Sequence, residues 1–105
     1  MNKKPLVISH ADCMDGTASV WLINNILAGY CEILFMHYDE REVEFPKLDL
    51  DDRIVIIADF SIQPEVLLLQ AHRIKHLLML DHRASARDEW SERSYVIPDH
   101  LLVIM

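Results

Sequence analysis

The chain has 105 residues, 51% of them hydrophobic, which is enough apolar material for one packed core and makes two domains implausible. Residues 1–105 are therefore expected to form a single domain. Seventeen acidic against ten basic residues give a formal net charge of −7, and this charge excludes sequence-independent binding to long DNA or RNA as the default function.

Cysteine content and hydrophobic patterning predict a cytoplasmic protein with no membrane partner. Cys13 and Cys31 have neither the density of a disulfide framework nor the spacing of a zinc pair, so both are expected to be reduced thiols. The apolar run at residues 5–9 is too short for a signal sequence, and no run approaches the roughly 18 residues that a membrane span needs.

Strands and helices alternate along the chain. The predicted strands occupy residues 5–9, 31–36, 54–58 and 77–80, and the predicted helices occupy residues 17–27, 64–72 and 85–93. Two further β-like runs, at residues 95–97 and 101–104, close the sequence and leave an unprotected strand edge. This alternation predicts an α/β fold, a three-layer sandwich with a mostly parallel sheet.

Burial can be predicted for several apolar residues. Trp21 and the run at residues 66–69 are most simply core residues, and Trp90 is expected to be a half-buried surface aromatic. The charged connection at residues 37–44 and the turn-rich connection at residues 45–52 are not expected to contribute to the core.

Polar side chains that can bind a metal follow three of the predicted strands. The first strand is followed by His10, Asp12 and Asp15, the third by Asp59, and the fourth by Asp81 and His82. The carboxyl ends of parallel strands share one edge of a sheet, where open α/β folds bind their ligands. Divalent cations such as Mn²⁺ take carboxylate oxygen and imidazole nitrogen, and two adjacent cations need a bridging carboxylate. The sequence therefore predicts a two-metal site at this edge.

The order of these residues suggests one arrangement of ligands. His10 and Asp12 would hold one metal, Asp15 and His82 the other, and Asp59 would lie between the two metals. Asp81 would be either a ligand or the partner that orients an imidazole. Each Asp alone is more simply a helix N-cap or a turn former, so the metal site is favoured only by the convergence of three strand ends.

The remaining histidines are weaker candidates. His72 and His76 flank a short polar connection and are expected to be solvated. His37 ends the second strand and is a weak candidate for lining the same cleft. The sequence contains no glycine-rich phosphate loop and no nucleophile elbow.

Three motifs of this chain resemble those of the DHH phosphoesterase family. The first combines His10 and Asp12 with Asp15 and Gly16, the second is a lone Asp59 after a strand, and the third is Asp81, His82 and Arg83. Their order, and the strands and helices between them, match the family over about residues 5–90.

The resemblance implies a two-metal hydrolase, usually dependent on Mn²⁺, with Mg²⁺ or Co²⁺ as alternative ions. In such an enzyme a metal-bridged hydroxide attacks phosphorus, and the metals stabilise charge on the phosphoryl oxygens. It also implies that Asp59, His82 and Arg83 take part in catalysis. Arg83, a forked cation in place of the family's second His, would then bind the substrate phosphate.

Family members usually continue with a late metal-binding Asp and then a separate substrate-binding domain. Asp99 lies at about the position of that late Asp, and the second domain is not among the 105 residues, so the chain resembles a truncated member. Three interpretations stay open: a minimal hydrolase, a subunit completed by self-association, and a binding protein without turnover. The apolar run at residues 101–105 favours self-association, and we expect a homodimer.

The leading functional prediction is a Mn²⁺-dependent phosphoesterase that hydrolyses a phosphodiester or phosphate bond in a small nucleotide or a short or cyclic oligonucleotide. The alternative is a weak or inactive module of the same fold that binds a nucleotide or a protein partner. A response-regulator-like receiver is a third interpretation, since receivers are also small acidic α/β domains with Asp at strand ends. His10, Asp81 and His82 argue against it.

Overall fold

The structure is a computed structural model that describes residues 3–11, 14–91 and 95–105, with only the backbone described at residues 14–16. Within these residues the strands are β1 (Leu6–His10), β2 (Glu32–Met36), β3 (Ile54–Ala58), β4 (His76–Leu80) and β5 (Leu101–Ile104). The α-helices are α1 (Met14–Ile26), α2 (Arg41–Glu44), α3 (Pro64–Gln70) and α4 (Ala84–Ser91). Short 3-10 turns at Tyr38–Glu40 and Phe45–Lys47 flank α2.

All five strands form one parallel sheet in the order β2-β1-β3-β4-β5, which confirms the predicted α/β class. The run at residues 101–104 is an edge strand as predicted, whereas residues 95–97 form no strand. The chain moves from β1 to β2 on one side and then to β3 on the other. The strand order therefore reverses between β1 and β3, and open α/β folds bind ligands at such a point.

The two faces of the sheet differ in how well they are packed. Alternate residues of β1, β3 and β4 form one side of the main core, which we call the covered face: Leu6, Ile8, Val55, Ile57, Leu77 and Met79, all nearly inaccessible to solvent. Opposite them lie residues from α3, α4 and the connections after β2 and β3: Leu67, Trp90, Phe45 and Phe60. The covered face thus holds the hydrophobic core.

The opposite side of the sheet, the open face, is only partly covered. Its central and edge residues are Ile54, Ile56, Leu78, Leu80, Leu102 and Ile104, which range from partly buried to 56% exposed. Helix α1 packs on this side over β1 and β3. Helix α1 therefore forms the third layer of the sandwich, and it covers only the part of the open face formed by β1 and β3.

Several burial predictions need correction. Phe45 and Leu50, in the connection predicted to lie outside the core, are completely buried, because this connection crosses the covered face between β2 and β3. Trp21 is 67% exposed and is not a core residue, since the neighbouring Val20 is the buried residue at this position of α1. Trp90 is buried more deeply than predicted, and its indole Nε1–H donates a hydrogen bond to the carbonyl of Ile62.

The helices also differ from their predicted bounds. Helix α1 begins three residues earlier than predicted, at Met14, and α3 ends at Gln70 rather than at residue 72. The predicted core run at residues 66–69 is divided, because Leu67 is buried while Leu69 is 72% exposed on the outer side of α3. Within the part of the chain that the structure describes, no helix has the length and apolar character needed to cross a membrane.

Candidate functional site

Asp59 directly follows β3, at the carboxyl edge of the sheet where the strand order reverses. Its backbone is left-handed, with φ of 53°, a conformation that costs a non-glycine residue about 1 kcal/mol and that Asp tolerates better than most. Its amide donates to the carbonyl of Leu80 at 2.9 Å, and its carbonyl accepts from Arg83 Nη2 at 2.6 Å. Contacts from the last residue of β4 and from the connection after it therefore hold Asp59 in this strained conformation.

The two carboxylate oxygens of Asp59 face different partners. Ser19, on α1, donates its hydroxyl hydrogen to Oδ2, and the Nδ1 atom of His82 lies 3.6 Å from Oδ1. The Asp59 side chain is 19% exposed and the His82 side chain is 78% exposed, so this pair is open to solvent from the imidazole side. The sequence predicted that Asp59 and His82 would meet, and the structure brings them together.

Ser19 was not identified from the sequence. The signal that could have pointed to it is a polar residue beside Val20 and Ile23, on the sheet-facing side of a helix. It lies with Asp59, Leu22 and Leu80 around a small cavity of about 190 Å³ between α1 and the sheet. Its hydroxyl therefore fixes the orientation of the Asp59 carboxylate from inside the fold.

A second cavity, of about 280 Å³, opens at the same edge of the sheet. It is lined by Asp59, Leu80, Asp81, His82, Ile104 and Met105. The cavity thus combines polar groups from the ends of β3 and β4 with apolar side chains from the end of β5. This mixture is typical of a pocket that holds a small ligand.

Asp81 is buried, and its carboxylate is occupied by Arg83. Arg83 Nε lies 3.0 Å from Oδ1, Nη2 lies 3.1 Å from Oδ2, and the Arg83 amide lies 3.2 Å from Oδ1. The pKa of Asp81 is raised above its ordinary value, because the effect of burial outweighs the lowering by hydrogen bonds from the Arg83 amide and the Ser61 hydroxyl. Of the two predicted roles for Asp81, that of a supporting partner fits these contacts better than that of a direct ligand.

Arg83 was predicted to bind a substrate phosphate. Breaking a buried ion pair leaves the remaining charge unpaired, at a cost of about 3 kcal/mol, and the Asp81 side chain has no solvent exposure to offset it. Transfer of Arg83 from Asp81 to a phosphate would therefore have to recover this free energy from the new contact. Its role as a phosphate ligand stays a prediction.

His10 ends β1, and strand pairing places it next to Asp59, because Ser9 pairs with Ala58. Its ring contacts two aromatic rings, with centroid distances of 4.6 Å to Tyr38 and 6.0 Å to Phe60. Its Nδ1 atom is buried and has no hydrogen-bond partner among the residues that the structure describes. A buried imidazole nitrogen without a partner is unusual, and a metal ligand at this position would satisfy it.

Two predicted ligands cannot be placed. Asp12 lies outside the described residues, and for Asp15 the structure describes the backbone alone, as part of α1. Among the residues that the structure does describe, no group of three or more His, Cys, Asp or Glu side chains gathers as a metal site. The assignment of Asp12 and Asp15 as metal ligands stays a prediction.

The weaker candidates lie elsewhere. Asp99 is at the opposite, amino edge of the sheet, beside the first residues of β3 and β4, because it precedes β5 rather than following it. This position does not favour a role as the late metal ligand, which the sequence left open. The backbone N–H of His37 donates to the Glu40 side chain, which closes the 3-10 turn. His72 and His76 are exposed, as predicted.

Asp59 and His82 are arranged so that one divalent cation could bind between them. The distance of 3.6 Å between His82 Nδ1 and Asp59 Oδ1 is too long for a hydrogen bond. It is short enough for both atoms to bind one cation, since metal bonds to these donors are about 2.0 to 2.2 Å long. Asp59 and His82 are therefore the described residues best placed to hold a metal.

Comparisons with family models, with curated proteins and with solved structures give no match for this chain.

Proposed function

We propose that this protein is a cytoplasmic, Mn²⁺-dependent phosphoesterase that acts on a small nucleotide or a short or cyclic oligonucleotide. One observation carries the proposal: Asp59, in a strained left-handed conformation at the reversal of strand order, faces His82 across 3.6 Å. Strained backbone that its surroundings maintain is often found at functional sites. The motif resemblance to DHH phosphoesterases independently selects the same two residues.

The chain's own residues would hold the metals and position them. His82 and Asp59 bind one ion, with His10 at the neighbouring strand end and Asp12 and Asp15 as the further ligands that the sequence predicts. When bound, Mn²⁺ lowers the pKa of a coordinated water and neutralises charge on phosphoryl oxygens. Ser19 holds the Asp59 carboxylate in one orientation, so the ligand needs no rearrangement.

The cavity and the net charge support a small substrate. A volume of about 280 Å³ is near the lower limit for ligand pockets and suits a phosphate with part of one nucleoside. The net charge of −7 repels a long polyanion, whereas a single phosphate reaches the protein through the bound cations. Both features favour a nucleotide or short oligonucleotide over a long nucleic acid.

Hydrolysis assays with a matched pair of variants test the proposal. Purified protein is assayed with Mn²⁺ against pyrophosphate, bis-p-nitrophenyl phosphate, dinucleotides and cyclic dinucleotides. We expect Asp59→Asn to lower the rate by about two orders of magnitude or more, because the amide is a poor ligand for Mn²⁺. Asp52→Asn is the control, since Asp52 has the same left-handed backbone, with φ of 54°, at the opposite edge of the sheet.

The outcomes of this assay separate the main proposal from its rival. Full activity in Asp59→Asn would exclude Asp59 as a metal-binding residue. Mn²⁺ binding without turnover of any substrate would favour the alternative, a module that binds a nucleotide without cleaving it. The packing of the His10 ring against the rings of Tyr38 and Phe60 is the observation that favours this alternative.

The receiver-like interpretation also stays open, because the strand order β2-β1-β3-β4-β5 occurs in response-regulator receivers too. Stable incorporation of phosphate at Asp59 from a small phosphodonor, without turnover of the phosphoester panel, would favour it. The metal-bound His82 of the main proposal has no counterpart in that mechanism.

We also propose a homodimer that forms through the open face and β5. Leu102 and Ile104, on this edge strand, are 56% and 48% exposed, and the edge backbone of β5 can pair with a further strand. Association would also place a second wall beside the cavity, because Ile104 and Met105 line it.

A further inference from the structure

Arg83 connects three separate segments at the carboxyl edge of the sheet. Besides its paired contacts with Asp81 and its bond to the carbonyl of Asp59, its guanidinium carbon lies 4.5 Å from the ring centroid of Tyr38. These partners belong to the connections that follow β4, β3 and β2. One side chain therefore holds together the segments that carry the proposed site.

The contacts of Arg83 also fix the two residues proposed to bind metal. Its amide and its guanidinium both bond to the Asp81 carboxylate, which closes a tight turn around His82. Its Nη2 atom donates to the carbonyl of Asp59, the residue with the left-handed backbone. Loss of the fork would release both ends of the Asp59 and His82 pair.

We infer that Arg83 is a positioning residue that holds Asp59 and His82 in register for a metal, and that it does not act as the phosphate ligand that the motif predicts. A guanidinium paired at two points with a buried carboxylate is already neutralised, and its departure would leave Asp81 buried and unpaired. The inference rests on the proposed function where it is tested by Mn²⁺ affinity. A second test, by amide hydrogen exchange, does not depend on that function.

Arg83→Lys is the test variant, because lysine keeps the positive charge and loses the fork. Arg53→Lys is the matched control. Arg53 directly precedes β3, is 5% exposed, and donates through its fork to the carbonyls of Lys4 and Asp49 and to the Glu32 carboxylate, at the opposite edge of the sheet. Both variants break an arginine fork that pairs with a carboxylate and with backbone carbonyls, and only one does so at the proposed site.

The first measurement is the affinity for Mn²⁺ alone, from the electron paramagnetic resonance signal of free Mn²⁺, with thermal melting recorded in parallel. We expect Arg83→Lys to weaken binding by about tenfold or more, as is found when partners that orient metal ligands are removed. Arg53→Lys should lower the melting temperature without changing Mn²⁺ affinity. Unchanged affinity in Arg83→Lys, with a loss of inorganic phosphate binding instead, would overturn the inference and restore the phosphate role.

The second measurement is amide hydrogen exchange without metal. The Asp59 amide bonds to Leu80 and the Asp81 amide bonds to Ile104, so both are protected in the intact protein. We expect Arg83→Lys to increase exchange at both amides and Arg53→Lys to leave them unchanged. Equal protection in all three proteins would contradict the positioning role, even if the protein bound no metal.

Asp59→Asn separates this inference from the proposed function. If Asp59→Asn leaves Mn²⁺ affinity unchanged, the proposed metal site fails, and the exchange experiment alone decides the role of Arg83. If Asp59→Asn abolishes binding while Arg83→Lys does not weaken it, the site stands and the inference about Arg83 fails.

Discussion

The two faces of the sheet use the same strands and similar residues but have different environments. In β4, Leu77 and Met79 are buried in the core of the covered face, while Leu78 and Leu80, which alternate with them, lie on the partly covered side. The composition of the strand is apolar on both sides, so composition alone does not show which face supports the fold. The difference lies in the elements that the described residues place above each face: two helices and a long connection on one side, and α1 on the other.

Truncation of one side chain on each face of β3 should give the largest difference. We expect Ile57→Ala to lower the free energy of unfolding by about 2 to 5 kcal/mol, because Ile57 is completely buried and leaves a cavity. Ile54→Ala, in the same strand, should cost about 1 kcal/mol or less, because Ile54 is 41% exposed. Urea denaturation of both variants measures the difference.

Equal losses in these two variants would contradict the comparison. They would mean that another molecule buries the open face in solution. The proposed partner is a second copy of this chain. Repeating the denaturation at several protein concentrations would distinguish this case, since the stability of a dimer depends on concentration.

A charge introduced on the open face should have the second-largest effect. It should weaken dimer association rather than destabilise the fold. We expect Leu102→Lys to raise the dimer dissociation constant by about tenfold or more, because burying an ammonium group in an apolar contact is unfavourable. Light scattering measures the change. Leu69→Lys is the control, because Leu69 is 72% exposed on α3, on the opposite side of the sheet.

Either of two results would remove the dimer from the proposal. The first is an unmodified protein that is monomeric at micromolar concentration. The second is a dimer that Leu69→Lys weakens as much as Leu102→Lys does, which would place the contact away from the open face.

The smallest effect concerns a polar contact at the rim of the covered face. Arg73 donates a hydrogen bond to Asp51 at 2.7 Å, and this bond together with the positive charge of Arg73 lowers the pKa of Asp51 below its usual 3.8. A lowered folded-state pKa stabilises the protein above pH 3.8, and the stabilisation is lost as the pH falls through the folded-state value.

Asp51→Asn should therefore be slightly less stable than the unmodified protein above pH 3.8, and the two should converge at lower pH. Urea denaturation across this range measures the convergence. Added salt should reduce the gap, because Asp51 is exposed and its pair is screened. A gap that widens on acidification would show that Asp51 has another role.

The α/β class and the position of the Asp59 and His82 strand ends at one edge of the sheet were predictable from the sequence. Continuous apolar runs such as residues 54–58 indicate strands covered on both sides, and parallel strands bring their carboxyl ends to one edge. That Asp59 and His82 meet also requires β3 and β4 to be neighbours, which the strand order supplies. The burial of Phe45 was not predictable, because nothing in its charged and turn-rich surroundings indicates that the segment crosses the core.

The details of the site depend on contacts between distant segments, which a single sequence does not reveal. Ser19 and Asp59 are 40 residues apart, and Arg83 and the Asp59 carbonyl are 24 apart. The motif suggested that Arg83 binds phosphate, because the side chain is positively charged. Only the fold shows that Arg83 is already paired with the buried Asp81 carboxylate. The rotation of α1 that exposes Trp21 is another such property, since a shift of one residue decides whether Val20 or Trp21 is buried.

The left-handed backbone of Asp59 has a consequence for the evolution of this protein. Glycine adopts this conformation without steric cost, so Asp59→Gly would relieve strain at this position while removing the carboxylate. A laboratory selection for thermal stability alone would thus favour glycine here, whereas under the proposed function a selection for activity would favour aspartate. The two selections would then oppose each other at position 59, and a stability-guided redesign of this chain should keep Asp59 fixed.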